Sequence, residues 1–355
     1  MKNRSIRHHI SLIQEAIDEW LRPDNTDLKK AVDQTIEEKL FEGDDVRFQI
    51  KWLKKSLRKE VLKQWVSKHR DDIAASPKNV VCLHAGNIPL VGLQDLLAVL
   101  LTGHRYVGKV SRKDPYLMPS FFKVLAEKKL IDVGDWAIDI QNLPKEKADA
   151  VLFAGSTQSV EKVFNTLEEL NIADRSVPAL IRTAHFSIAH IEDFESETMR
   201  MLIEAAMRYG GNGCRSVAMV VAPFSFRSKA CNITDFAEEY LIRLIEPSKE
   251  DPLLYHRYAY NKAVGIHQIW LERFLIEETD AGPEIPGLIH WVVGDRSTTS
   301  QLAERFGEGL QSVYVTDPEV EIKGVKTEPL ANAQRPPIDW KPDGVDAIQW
   351  LTKYV

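Results

Sequence analysis

The sequence predicts an α/β protein in which a helical N-terminal region precedes a doubly wound domain and a second α/β domain. Three observations predict it. Apolar residues recur at three- and four-residue intervals through residues 5 to about 75, short β-branched runs alternate with helical segments from Asn79 onward, and a second alternation begins near ALIRTAHFSIAHI. Strands alternating with helices argue for a parallel sheet covered on both faces.

In chain order, SLIQEAIDEWL and FQIKWLKKSLRKEVLKQWV read as amphipathic helices separated by the breaker RPDNTD. NVVCLHA, RYVGKVS, WAIDI and ADAVLFAGS then read as strands, interleaved with the helices LVGLQDLLAVLLTG, LMPSFFKVLAEKKL and VEKVFNTLEEL. Beyond them come the helix SETMRMLIEAAMRY, the strand SVAMVVAP, a mainly helical stretch over 234–276, and the strands IHWVVGD and SVYVTD. The ending RPPIDWKPDGVDAIQWLTKYV is a Pro-rich crossing segment followed by a short helix. The expected divisions are 1–78, 79–178, 179–325 and 326–355.

A chain of 355 residues is long enough for two packed domains, and 44% hydrophobic with 28% charged residues is an ordinary globular composition. With 52 acidic against 46 basic residues the formal charge is -6, which argues against nucleic acid as the main partner. Cys82, Cys214 and Cys231 lie far apart without metal-ligand spacing, so neither a disulfide framework nor a metal site is expected. No signal-type apolar core opens the chain, and no membrane-length apolar run occurs in it. A cytoplasmic protein without an integral membrane segment is the expectation.

Three turns follow strands, where ligands of open α/β sheets bind. In HAGNIPL, Asn87 could donate its amide to a developing oxyanion, or merely shape the turn and cap the next helix. In VGKVSRKDP, Lys109, Ser111 and Arg112 could meet a ribose or phosphate, or form an ordinary strand-to-helix loop. In VLFAGSTQSVEKVF, Gly155 and Ser156 open a helix whose N–H groups could face an anion, with a plain N-cap as the alternative. Neither GxGxxG, GxxxxGK[ST] nor GxSxG is present, so the usual pyrophosphate loop, the P-loop and a serine-hydrolase elbow are excluded.

The nucleophile candidate is Cys214, in YGGNGCRS. Gly211 and Gly213 let the backbone approach a ligand closely, and Arg215 or nearby N–H dipoles could favour the thiolate. The alternative is an inert cysteine at a helix-to-strand turn. Cys82, inside an apolar strand, and Cys231 read as structural or incidental.

An Asn-x-Pro turn, a Lys-x-Ser-x-x-x-Pro turn, a Phe-x-Gly-Ser turn and a Gly-x-x-Cys loop follow one another as in the aldehyde dehydrogenase superfamily. HAGNIPL, YGGNGCRS and the closing PPIDWKPDG resemble more closely its long-chain acyl-CoA reductase branch, which supplies fatty aldehyde in bacterial luminescence. The resemblance covers most of the chain from about residue 79. It implies an aldehyde dehydrogenase-like fold with a nucleotide-binding domain and a catalytic domain. Cys214 would be the acyl-accepting nucleophile, and Asn87 would join the Cys214 N–H in the oxyanion hole. Lys109 and Ser111 would lie by the adenosine ribose, and Gly155 and Ser156 beneath the pyrophosphate.

Two departures from the superfamily pattern refine the expectation. Aldehyde-oxidising members carry a Glu-Leu-Gly-Gly segment whose glutamate activates water; the matching PALIRTAHFS has no carboxylate, which protects a thioester until hydride arrives. At Arg112, NAD-preferring relatives carry a glutamate; a cation favours a 2′-phosphate, hence NADPH, with NADH left open. His84 and His185 each read as a turn or core residue or as a proton carrier to the leaving thiolate. The expected activity is NAD(P)H-dependent reduction of a long-chain fatty acyl-CoA to the aldehyde, in a chain that could self-associate. The alternatives are a cysteine acyltransferase or thioesterase without nucleotide, and a non-catalytic acyl- or nucleotide-binding protein.

Overall fold

The computed structural model describes residues 6–69, 74, 76–183, 186–242, 251–271 and 273–355, without the side chains of 228–231. They divide into two compact units, Met1–Thr183 with Pro337–Val355, and Ala184–Pro336.

The first unit opens with four helices, α1 (Ile6–Trp20), α2 (Thr26–Glu37), α3 (Gly43–Ser56) and α4 (Lys59–Ser67). Ile10, Ile13, Ile17 and Trp20 recur along one face of α1 and are buried. Asn25 starts α2 by accepting the Leu28 N–H. The run read as one helix through FQIKWLKKSLRKEVLKQWV is instead two: the chain leaves helical geometry at Leu57 (φ −89°, ψ 63°).

The strand–helix alternation then follows as β1 (Asn79–Leu83), α5 (Leu93–Thr102), β2 (Arg105–Lys109), α6 (Leu117–Glu127), β3 (Trp136–Ala137), β4 (Ala150–Ala154), α7 (Thr157–Glu169) and β5 (Ala179–Arg182). All five strands are parallel, in the order β3-β2-β1-β4-β5. Period-two alternation splits their side chains between two cores. Val80, Cys82, Tyr106 and Leu152 face α5 and α6, whereas Val81, Val107, Val151 and Phe153 face Phe164 and Leu167 of α7.

The N-terminal helices cover α6. Trp20 stacks on Phe121 at 4.6 Å and donates its indole N–H to Ser120 Oγ at 2.8 Å. The chain's last stretch returns to the same unit, where Asp346 starts the C-terminal helix Ala347–Tyr354 and accepts N–H groups from Ile348 and Gln349.

The second unit contains β6 (Phe186–His190), α8 (Ser196–Met207), β7 (Val217–Ala222), α9 (Ala230–Leu241), α10 (Pro252–Val264), β8 (Gln268–Trp270), β9 (Leu275–Glu278), β10 (Leu288–Val293), α11 (Arg296–Phe306), β11 (Leu310–Val315) and β12 (Thr327–Pro329). Its seven-stranded sheet runs β12-β11-β6-β7-β10-β9-β8, antiparallel only between β8 and β9. Two sequence expectations change here. The run ALIRTAHFSIAHI is shared between the sheets, β5 pairing with β4 and β6 with β7 and β11. The stretch 234–276, expected to be mainly helical, also supplies β8 and the start of β9. No helix among the described residues is long and apolar enough to cross a membrane.

Candidate active site

In the first unit the expected turns open side by side. Leu83, the last residue of β1, pairs with Lys109 on β2 and with Phe153 on β4, so the segments after all three strands leave the same edge. β1 and β4 flank the point where the strand order reverses, the place where ligands settle in doubly wound sheets. The first two turns are in contact: a Cβ at Gly86 would fall 2.2 Å from Ser111 Oγ, so only glycine fits.

Asp114 fastens them. Its buried carboxylate accepts the Leu90 N–H at 2.8 Å and the Leu117 N–H at 3.3 Å, joining the turn that holds Asn87 to the start of α6. Leu90 sits in the left-handed region (φ 58°), a conformation that a leucine holds only under such restraint. Burial pushes the Asp114 carboxyl up to about 6 despite these two bonds.

Lys109 is half-buried, and burial together with the Arg112 charge lowers its pKa. Ser111 Oγ accepts the Lys113 N–H at 3.2 Å. The largely exposed Arg112 guanidinium donates to Asp139 at 2.8 Å, a carboxylate at the carboxyl end of the neighbouring strand. Ser156 stands at the N-cap of α7 but its side chain caps none of the helix N–H groups; its hydroxyl meets Ser159 Oγ at 2.7 Å. Asn87 Oδ1 is buried without a partner among the described residues.

His84 is a core residue. Its Nε2 meets the Tyr106 hydroxyl at 2.7 Å, its ring lies against Gly92, and burial lowers its pKa to about 4, so it is neutral near pH 7. His185 lies outside the described residues.

In the second unit Cys214 ends a loop that leaves α8 through consecutive left-handed residues: Tyr209 (φ 58°), Gly210 (φ 65°), Gly211 (φ 72°) and, one residue on, Gly213 (φ 100°). Three of the four are glycine, the residue that adopts this region without a Cβ penalty. Gly211 is pinned as well as left-handed: a Cβ there would fall 2.8 Å from the backbone nitrogen of Gly287, just before β10. Asn212 Nδ2 donates to the Tyr209 carbonyl at 3.0 Å, and Ser216 Oγ donates to the Asn212 carbonyl at 2.7 Å. Buried Ser187 on β6 donates its hydroxyl to the Cys214 carbonyl at 3.0 Å.

Cys214 is thus half-buried at the amino end of β7, fixed through its main chain. Beside it Arg215 is buried, with its pKa lowered by burial and with Tyr314, Tyr209 and Glu328 in electrostatic reach. Cys82 is buried within β1, and burial raises its thiol pKa well above the ordinary value. The Cys231 side chain lies outside the described ones.

Sequence reading missed Asp114, Asp139 and Ser187. Only Ser187 left a trace, as a polar residue inside the apolar run FSIAHI.

Two parallel-sheet units with these turns define an aldehyde dehydrogenase fold, and solved structures agree. Aldehyde dehydrogenase 21 of Physcomitrella patens, in complex with the reaction product succinate, aligns with a TM-score of 0.68 and 11% identity over 98% of this chain and 84% of that one. The NADP-dependent glyceraldehyde-3-phosphate dehydrogenase of Bacillus halodurans, complexed with NADP, aligns with a TM-score of 0.61 and 12% identity over 91% and 78%. An aldehyde dehydrogenase of Bacillus cereus in its NAD+ complex gives 0.57 and 14% over 89% and 73%. No curated protein sequence matches. Residues 1–170 match the acyl-CoA reductase (LuxC) family, so that stretch of the chain is similar to the LuxC-type acyl-CoA reductases. The matched stretch holds Asn87, Lys109, Ser111, Arg112, Gly155 and Ser156 and ends before Cys214.

Proposed function

We propose that this chain reduces a long-chain fatty acyl-CoA to the aldehyde, with NADPH as reductant and Cys214 as acyl carrier. The observation that carries the reading is the Cys214 loop: a half-buried thiol whose main chain is fixed by Ser187 and by left-handed glycines, with the buried Arg215 cation alongside to favour the thiolate.

The thiolate sulfur adds to the thioester carbonyl carbon, and the oxyanion so formed takes hydrogen bonds from the Asn87 amide and the Cys214 N–H. The carbonyl re-forms as the bond to the CoA sulfur breaks, and CoA leaves as its thiolate. A reduced nicotinamide, when bound, would supply hydride to the carbonyl carbon of the acyl-cysteine; the carbon–sulfur bond to Cys214 then breaks as the carbonyl re-forms, releasing the aldehyde and the Cys214 thiolate. The segment PALIRTAHFS, which matches the Glu-Leu-Gly-Gly segment of oxidising relatives, holds no carboxylate, so hydrolysis of the acyl-cysteine lacks that base.

The first unit suits a dinucleotide. The Ser156 side chain caps none of the α7 N–H groups, which suits a pyrophosphate, and Lys109 and Ser111 stand at the carboxyl edge of the sheet for the adenosine ribose. The exposed Arg112 fork suits a 2′-phosphate, which would compete with Asp139 for it.

The test is to incubate the protein with palmitoyl-CoA with and without NADPH, following NADPH absorbance and free CoA. Coupled loss of NADPH and release of CoA is expected, and Cys214→Ala should abolish both. CoA release without NADPH consumption would point to an acyltransferase, and reduction by Cys214→Ala would overturn the assignment.

A further inference from the structure

We propose that the side edge of the Arg182 guanidinium is a docking point for a phosphate oxyanion at the carboxyl edge of the five-stranded sheet. Arg182 ends β5 and is only 8% exposed. Its Nη1 is ion-paired to Asp95, itself buried in the first turn of α5. Nε and Nη2 have no hydrogen-bond partner among the described residues. Their N–H bonds run parallel, forming the fork that arginine offers to two oxygens of one phosphate or carboxylate.

A buried donor without an acceptor carries its desolvation cost with nothing in return. An arginine placed only to neutralise Asp95 would turn that fork onto the carboxylate and leave the end of the guanidinium outward. Here the carboxylate holds a single nitrogen, which fixes the plane of the guanidinium and leaves the whole fork for something else.

The guanidinium stands on the α5 face of the sheet, the face of Leu152 and Leu180, at the carboxyl edge of β5. The Arg182 carbonyl accepts the Gly155 N–H at 3.2 Å, and Ala154 pairs with Arg182 across the ladder, so the arginine stands one strand from the turn that opens α7. α7 itself packs on the opposite face of the sheet, so the fork selects the chemistry by its own geometry, two parallel N–H bonds for two oxygens of one phosphate. Two sources offer it, the pyrophosphate of the dinucleotide and the phosphates of CoA; naming these two rests on the function proposed above.

The test is calorimetric titration of inorganic pyrophosphate, NADP+ and CoA into the full-length protein and its R182Q, R182K and D95N variants. R182Q should weaken pyrophosphate and one of the two larger ligands about tenfold or more, sparing the other; the ligand affected names the source. R182K, a point charge without a fork, should recover part of the loss. D95N removes the ion pair but keeps the fork, and should bind within a few-fold of wild type. Equal affinity of R182Q and wild type for all three ligands overturns the inference, and so does D95N losing as much as R182Q. If wild type binds pyrophosphate through Arg182 but neither NADP+ nor CoA, the docking point stands and the proposed function fails.

Discussion

Trp65 donates its indole N–H to Asp346, 281 residues later, at 3.1 Å. The same buried carboxylate meets His69 Nε2 at 3.1 Å and accepts the first N–H groups of the C-terminal helix, so four groups converge on one acceptor. Asp346→Ala should cost about 2–4 kcal/mol, from a lost helix cap and stranded donors. Urea unfolding followed by tryptophan fluorescence checks it, and Asp346→Asn should lose less.

Asn87 is a side chain proposed to act only when charge develops on the acyl oxygen. Asn87→Ala should therefore lower kcat for acyl-CoA reduction about 10²–10³-fold while KM changes little. Steady-state kinetics decides it: an effect confined to KM would make Asn87 a binding residue, and no effect would make it a turn residue.

Gly211 combines a left-handed φ of 72° with a Cβ position 2.8 Å from the Gly287 backbone. Gly211→Ala should destabilise the protein by about 1–3 kcal/mol and slow modification of Cys214 by a thiol reagent, because the loop must shift. Gly265→Ala is the matched control: φ is 75° there too, but nothing stands within 4 Å, so it should keep normal thiol reactivity.

The Asp114 carboxyl, raised by burial to about 6, makes stability depend on pH. A carboxyl whose folded pKa lies above its ordinary 3.8 favours folding while protonated, and that contribution is lost as pH rises through about 6. Asp114→Asn removes the titration. The stability of wild type minus that of the variant should fall by about 2 kcal/mol between pH 4 and pH 7, most of what a two-unit shift at 1.36 kcal/mol each is worth, the rest being lost below pH 4. Thermal melts of both proteins across that range measure it.

Much of the first unit was legible because its strands are continuous apolar runs ended by polar turns, and each turn places its candidate side chains just where the run stops. The break between α3 and α4 was not legible, since Leu57 and Arg58 belong to a helical pattern with neither Gly nor Pro to interrupt it. β9 hid for another reason: its Glu277 reads as surface, yet it is buried against Arg257, Asn261 and His290, and those hydrogen bonds hold its carboxyl at about 2 against the upward push of burial. Long-range ion pairing was equally silent. Arg182 and Asp95 lie 87 residues apart, and nothing local to either names the other.

The packing of Trp20 on Ser120 and Phe121 bears on how the protein can be cut. In α6 Leu117, Met118, Phe121, Phe122, Val124 and Leu125 are all buried, so this helix is apolar around most of its circumference, and α1 and α2 shield the side turned from the sheet. A fragment beginning at β1 would present that side to water as a sticky patch and aggregate during expression. The first four helices therefore work as a solubilising jacket, and the five-stranded sheet should be produced only with them attached.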